Sequence, residues 1–343
     1  MRAVVYSETG GPEVLAVVDR RVPEPGPGEV RVRVAVSGVN PTDWKARRGR
    51  APGQKLAFPE LVPNQDGAGT IDDVGEGVDP ARVGERVWLW EVAWERAEGT
   101  AQELVVLAGR QAVPMPDRVS FEAGASFGIP ALTAHRCLTV SEAGPRRLAP
   151  GALGGRTVLV AGGAGAVGHA AIQLAGWARA DVIATVSSDE KAVLARAAGA
   201  GEVVNYREED AADRIRRLAP DGVDIAVEVA PAANAALDAA VLAPNGTVAV
   251  YASDGADEVG LSVRQLMFRN VRYQFVLVYT VPAQAKDEAV ADVAAAAAAG
   301  ALPVGEEAGL PLHRFPLERT ADAHAAVEAG TVGKVLVDVG PGA

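Results

Sequence analysis

The sequence predicts an α/β protein in which a β-rich domain is joined to a doubly wound parallel sheet. Three observations carry that expectation. The chain up to Val113 is strand and turn, Arg156 to Tyr251 alternates regularly between strand and helix patterns, and a glycine cluster directly follows the first strand of the alternating part. Strands separated by helices of this length imply right-handed βαβ crossovers and one parallel sheet.

A length of 343 residues suits two domains, each large enough to bury a core. The composition, 49% hydrophobic with a mean hydropathy of +0.10, is that of a soluble globular protein. No apolar run approaches the ~20 residues of a membrane helix, since the alanine tract Val293 to Ala299 is short and follows Asp292. The first residues, MRAVVYSETGG, lack a basic region and a long apolar core, so no secretory signal is expected and the cytoplasm is the expected compartment. Net charge is −11, from 33 Lys and Arg against 44 Asp and Glu, and no long basic block interrupts it. That balance argues against a general nucleic-acid surface while leaving room for a local basic pocket. Cys137 is the only cysteine, which excludes an intrachain disulfide and a multi-cysteine zinc site.

In the β-rich part, short strands are expected at Ala3 to Tyr6, Leu15 to Val18 and Glu29 to Val36, with Pro23 to Gly28 too rich in Pro and Gly for helix or central strand. The alternation EVRVRVAV puts valines on one face, as in a half-exposed antiparallel sheet. Asn40 before Pro41 favours an extended turn, after which Thr42 or Asp43 is expected to cap a short helix carrying Trp44, Lys45 and Arg47. Strand and turn continue through Thr70 to Val74 and Val83 to Trp88. Ser120 to Cys137 then reads as helix, interrupted at Gly128 to Pro130. Within it, Gly124-Ala125-Ser126-Phe127-Gly128 matches the G-x-S-x-G elbow of serine hydrolases. The elbow needs a buried strand entering the turn, and Pro116 to Glu122 reads instead as loop and helix start, so the hydrolase reading is set aside.

The alternating part reads as strands 157–161, 181–186, 202–205, 223–229 and 246–251, separated by helices 167–178, 189–198, 208–218 and 232–242. A sixth strand is expected at Arg272 to Tyr279. Gly163, Gly165 and Gly168 spell G-x-G-x-x-G: the first glycine permits a tight turn, the second lets backbone approach a pyrophosphate, and the third lets helix pack on strand. The helix that follows directs unpaired N–H groups at the phosphates. Beyond Tyr279, helix Ala283 to Ala299, Leu310 to Phe315, a helix near Leu317 to Glu328 and strand Lys334 to Val339 are expected to return to the first domain.

NAD specificity usually rests on an Asp or Glu at the end of the second strand. That strand here ends Thr185-Val186-Ser187-Ser188, with Lys191 one turn into the next helix and Tyr206-Arg207 after the third strand. Small hydroxyls, a phenol and cations in place of the acid favour NADPH. Taken singly, Ser187 also suits a helix cap, Lys191 a solvated cation and Arg207 a loop cation, with Asp189 and Glu190 close by.

Six segments together carry a resemblance: Gly38-Val39-Asn40-Pro41-Thr42-Asp43, Pro63 to Gly69, Gly128 to Ala134, Ala161 to Gly168, Asn205-Tyr206-Arg207 and Gly333-Lys334-Val335. Over nearly its whole length the chain resembles the medium-chain dehydrogenase/reductase superfamily, and within it the zinc-free quinone oxidoreductases of the zeta-crystallin type. The resemblance implies a GroES-like β-barrel catalytic domain from residues 1–128 and 279–343, with a Rossmann NADPH-binding domain at 129–278. Zinc alcohol dehydrogenases of the superfamily carry a Cys shortly before a Thr-Asp pair and a later His-Glu pair. This chain has Ser37 to Pro41 before Thr42-Asp43, and Gln65-Asp66 where His-Glu would stand. With no metal to polarise an alcohol or simple carbonyl, the resemblance implies reduction of quinones or conjugated enones, whose own π-systems delocalise the arriving charge.

By the same resemblance Asn40 helps position nicotinamide or substrate, and Asp43, Lys45 and Tyr279 join it at the catalytic site. Lys45 stands where relatives often have Tyr. Cofactor roles are carried onto Thr133, onto Ala164, Gly165, Ala166 and Val167, and onto Ser187, Ser188, Lys191 and Tyr206. Further contacts are implied for Asn234, for Tyr251, Ala252 and Ser253, and for Val276, Leu277, Val278 and Lys334. A homodimer through the edge strand Arg272 to Tyr279 is implied as well. Two other readings stay open at this point: a non-catalytic NADPH-binding protein of structural or regulatory role, and an enoyl-thioester reductase.

Overall fold

The structure, a computed structural model, describes residues 1–340 apart from 52, 254, 255 and 257. The chain divides into two units, Met1–Ile129 with Leu312–Ala343, and Pro130–Pro311. Residues 279–311 thus group with the second unit, where the sequence-based boundary put them in the first. Buried polar ties account for the difference. From helix Ala283–Ala298, Asp292 accepts from His135 Nε2 at 2.8 Å, from the Leu148 amide at 2.7 Å and from Arg147. Lys286 Nζ in the same helix donates to the Tyr279 carbonyl at 2.9 Å.

The first unit is built on strand Glu29–Val39, whose Val30, Val32, Val34 and Val36 are fully buried, as the alternation requires. It pairs antiparallel with Asp66–Val74, Leu104–Ala108 and Lys334–Asp338. The sheet runs Leu312–Pro316, Lys334–Asp338, Glu29–Val39, Asp66–Val74, Arg86–Leu89, Ala112–Pro114, and the first pair is parallel. A hairpin of Arg2–Val5 and Ala16–Asp19 adds to the same core, where Val4, Val32, Leu89, Leu107 and Val337 pack together. Ser126 lies after the short helix Phe121–Gly124, its Oγ donating to the Glu122 carbonyl at 2.7 Å. No strand enters that turn, so the hydrolase-like match is local helix geometry.

The second unit holds a six-stranded parallel sheet in the order Glu202–Asn205, Asp181–Val186, Thr157–Ala161, Val223–Glu228, Leu242–Val250, Arg272–Phe275. Strand order reverses between Thr157–Ala161 and Val223–Glu228, which makes the carboxyl ends of these two strands the crevice where doubly wound sheets bind ligands. The sixth strand stops at Phe275, four residues short of the expected end, because Val278–Thr280 winds into a 3₁₀ turn.

Candidate functional site

In the second unit, the loop after Thr157–Ala161 gives each glycine a physical task. The tight turn is at Gly162, whose φ of 69° belongs to the left-handed region, and not at Gly163 as the motif suggested. Gly163 instead lets the loop lie against the sheet, since a Cβ there would sit 2.8 Å from the Ala184 Cβ. At Gly168 a Cβ would lie 2.3 Å from the Gly162 carbonyl oxygen. Gly165 is exposed and precedes helix Ala166–Trp177, whose first-turn N–H groups have no acceptor within the helix. The loop is therefore held close to the strand while its open edge presents backbone donors, a cradle that side chains would fill.

The second strand ends at Val186, and beyond it Lys191 Nζ donates to Ser187 Oγ at 3.0 Å while Ser188 Oγ caps the helix at the Lys191 amide. Lys191 forms no ion pair among the described residues. Asp189, in the first turn of the same helix, is approached by Asn205 Nδ2 at 3.4 Å. Tyr206, half exposed, is held at this strand end by its backbone N–H, which donates to the Val186 carbonyl at 3.2 Å. The structure thus brings Ser187, Ser188, Lys191 and Tyr206 together.

Asn234 starts from a different strand end: its Nδ2 donates to both Glu228 oxygens, at 2.9 and 3.1 Å, and Glu228 also accepts from the Ala230 amide. Burial pushes the Glu228 carboxyl upward against these bonds. Tyr251 to Ser253 follow strand Leu242–Val250, and Val276 to Val278 follow Arg272–Phe275, with Val276 and Val278 buried and Leu277 exposed. Thr133 is buried on helix Gly128–Leu138, and Tyr279 is buried in its 3₁₀ turn.

In the first unit, three strand ends bring Asn40, Asp66 and Lys334 together. Asn40 follows strand Glu29–Val39, Asp66 opens its neighbour on one side and Lys334 opens its neighbour on the other. Lys334 Nζ donates to Asn40 Oδ1 at 2.7 Å, and Asn40 Nδ2 donates to Asp66 Oδ2 at 2.7 Å. The ammonium lies 3.6 Å from the same Asp66 oxygen, and Asp66 Oδ1 accepts from the Ile129 amide at 2.9 Å. Asn40 is 3% exposed, Asp66 0% and Lys334 1%.

Asn40, rather than Thr42 or Asp43, caps helix Pro41–Arg48. Pro41 takes the first helical position, where its missing N–H costs nothing, and Asp43 Oδ2 reaches back to the Asn40 amide at 2.7 Å. Burial first, and the Asp66 charge second, push the Asp43 carboxyl up to about 8. Burial also raises Asp66 and lowers Lys334, each opposed by the charge of the other.

Asp43 borders a cavity of about 230 Å³ within this unit, lined by Tyr6, Phe58, Leu61, Asn64 and Trp94 among others. Lys45 lies outside that lining, exposed, with its ammonium 5.7 Å from the Trp44 ring centre. Sequence reasoning did not find Glu228 or the role of Asp66. The one signal for either was an acid at the end or start of an otherwise apolar strand.

Two families match. One described as "Alcohol dehydrogenase GroES-like domain" covers residues 26–117, and one described as "Zinc-binding dehydrogenase" covers residues 166–296. Over 345 residues the chain is 33% identical to a quinone oxidoreductase of Rattus norvegicus, covering 98% of this chain and 97% of that one. The chain belongs to the quinone oxidoreductase family. Family membership makes it an oxidoreductase. Among solved structures, an NAD-dependent alcohol dehydrogenase is similar at TM-score 0.85 and 31% identity, covering 99% of this chain and all of that one. A mycobacterial protein complexed with NADPH is similar at TM-score 0.79 and 30% identity, over 98% and 99% of the two chains.

The description of the second family implies zinc, which takes about three protein N, S or O ligands at a catalytic site. The donor set of this chain does not fit that need. Asp66 already accepts from Asn40 and Ile129, with the Lys334 ammonium beside it repelling a further cation. Among the described residues no group of three His, Cys, Asp or Glu gathers to hold a metal ion.

Proposed function

We propose that this oxidoreductase is an NADPH-dependent, zinc-independent reductase of quinones or α,β-unsaturated carbonyl compounds. The observation that carries the reading is the Asn40–Asp66–Lys334 network, which spends on hydrogen bonds the acid that would otherwise serve a Lewis-acid metal. An acceptor that delocalises charge in its own π-system suits such a site, because it needs holding, water exclusion and a few donors more than polarisation.

NADPH, when bound, supplies the hydride. The loop from Gly162 to Gly168 would hold the pyrophosphate on backbone N–H groups, with Ala164, Gly165, Ala166 and Val167 at its open edge. Ser187, Ser188, Lys191 and Tyr206 would hold the 2′-phosphate, where a carboxylate would repel it. Thr133, Asn234, Tyr251, Ala252, Ser253, Val276, Leu277, Val278 and Tyr279 remain the proposed contacts of ribose and nicotinamide. The acceptor is assigned to the cavity bordered by Asp43, where the aromatic side chains Phe58 and Trp94 in the lining suit a planar ring. With its carboxyl raised to about 8, Asp43 keeps a proton at neutral pH and can deliver it from a carboxyl oxygen as the acceptor gains negative charge. Lys45 would stand outside the chemistry, as a surface cation. The chain is further proposed to dimerise along the outer edge of Arg272–Phe275, where Phe275 and nearby Phe268 and Met267 are exposed.

The test is a screen of purified protein with NADPH and NADH against quinones, enals, enones and enoyl thioesters, with and without a chelator, followed by product analysis. Chelator-insensitive NADPH oxidation with a quinone or enone is expected. Tight NADPH binding with no turnover of any acceptor would overturn the enzymatic reading in favour of a binding protein.

A further inference from the structure

Asn40 carries a carboxamide whose two ends are met by opposite charges. An ammonium can only donate and a carboxylate only accept, so Lys334 fixes the oxygen end and Asp66 the nitrogen end. Turning the amide over would set its NH₂ against an ammonium and its carbonyl against a carboxylate. All three side chains are more than nine-tenths buried, so water is not at hand to replace either partner.

Backbone register puts them there. Gly38 pairs with Asp66 on one side and with Leu336 on the other, which leaves Asn40, Asp66 and Lys334 at one end of three adjacent strands. Space for the two charged side chains is made by glycines. A Cβ at Gly38 would meet first the Ala125 carbonyl oxygen, at 2.1 Å, and then Lys334 Cε and Asp66 Cβ, each at 3.2 Å, and a Cβ at Gly128 would lie 2.1 Å from Asp66 Oδ1. A buried ion pair is poor value as a stabiliser, since well-packed apolar residues of the same volume commonly do as well or better. What the pair does supply is orientation.

We infer that Lys334 and Asp66 are positioning residues whose paired charges hold the Asn40 carboxamide in a single orientation for the reaction at this site. The inference rests on the proposed contact between Asn40 and the reacting partners. One Asn40 amide hydrogen remains after both bonds are counted, and this is the group left to be presented. In this reading Lys334 acts from inside the catalytic unit and through Asn40, and does not itself close over the nicotinamide.

The deciding variant is the double substitution K334M/D66N, which removes both charges together and leaves no buried charge unpaired. It is compared with wild type by thermal unfolding, by steady-state kinetics with a quinone, and by hydrogen exchange of the Asn40 side-chain amide in protein labelled with ¹⁵N-asparagine. The N40S variant assigns the Asn40 signal. Wild type is expected to show a slowly exchanging Asn40 amide. The double variant is expected to keep its unfolding midpoint while its amide exchanges fast and kcat falls at least about 10-fold with KM within about 3-fold, the pattern of lost orientation. A folded double variant with kcat within about 3-fold of wild type would overturn the inference, because a purely structural pair predicts that result. Fast exchange of the Asn40 amide in wild type would overturn it too, whether or not any variant folds. If wild type reduces no acceptor, the proposed function fails, and the exchange measurement still decides whether the carboxamide is held.

Discussion

Replacing Lys191 by alanine should separate the two nicotinamide cofactors. Its ammonium lies 3.0 Å from Ser187 Oγ and has no ion-pair partner among the described residues, so its charge is not already neutralised by a protein carboxylate. A charge-assisted hydrogen bond to a phosphate is worth about 1.5–3 kcal/mol, and Lys191 is only part-buried. Solvent screening at that exposure argues for the lower end, about 1.5 kcal/mol, or roughly 10-fold in the dissociation constant. Fluorescence titration should therefore show the NADPH dissociation constant of K191A rising about 10-fold while that of NADH changes less than about 2-fold. The loss should shrink in high salt. Equal weakening for both cofactors would place Lys191 elsewhere in the site, and unchanged NADPH binding would refute the assignment of the 2′-phosphate to this strand end.

Four further outcomes follow from the surroundings of single residues. Asp238 is fully buried, neither of its oxygens has a hydrogen-bond partner among the described residues, and burial with the nearby Glu228 charge pushes its carboxyl up to about 8. A raised carboxyl favours folding below its ordinary range near pH 4 and loses that advantage as pH climbs to 8, so Asp238→Asn should raise stability at pH 8 by on the order of 2 kcal/mol and by much less at pH 4. Calorimetry at the two pH values checks it. For Asp43, activity should fall above about pH 8 as the carboxyl loses its proton, and Asp43→Asn should lower kcat and abolish that limb of the pH profile; a variant that keeps the limb removes Asp43 as the proton source. Gly128→Ala should cost about 1–3 kcal/mol in urea unfolding by crowding Asp66, whereas Gly176→Ala, on an exposed helix position where a Cβ meets nothing within 4 Å, should stabilise by about 0.5–1 kcal/mol.

The parallel sheet was legible because its first four strands in chain order are short, mostly apolar runs bounded by turn residues and followed by helix-period segments. Strands Thr157–Ala161 and Asp181–Val186 fall where the residue pattern puts them. The strand at Arg272 was overextended because Val276, Leu277 and Val278 continue the apolar run, and nothing in hydrophobicity signals the 3₁₀ turn that ends it. Gly162 and Gly163 look alike in sequence, and only the backbone angle tells the turn former from the packing glycine. The fate of residues 279–311 was illegible for a similar reason: it hangs on Asp292 meeting His135 and Leu148, partners more than 140 residues away.

The Asn40–Asp66–Lys334 network shows the same limit and also a way past it. Asp66 and Lys334 are 268 positions apart, and no local pattern announces that an acid opening one strand will face a lysine opening another. Yet each has a glycine where a side chain would intrude, at Gly38 and Gly128, and the short spacing from Gly38 to Asn40, just past the strand end, is itself readable. A charged residue buried at a strand end needs both a partner and a vacated volume. A search that pairs each charged residue opening a strand with a glycine on a neighbouring strand would have brought Asp66 and Lys334 forward together, both beside Gly38. The cluster is then understood as one electrostatic unit: an ammonium that balances a carboxylate, an amide that bridges them, and a second acid, Asp43, whose proton is retained first by burial and second by the charge of the first acid.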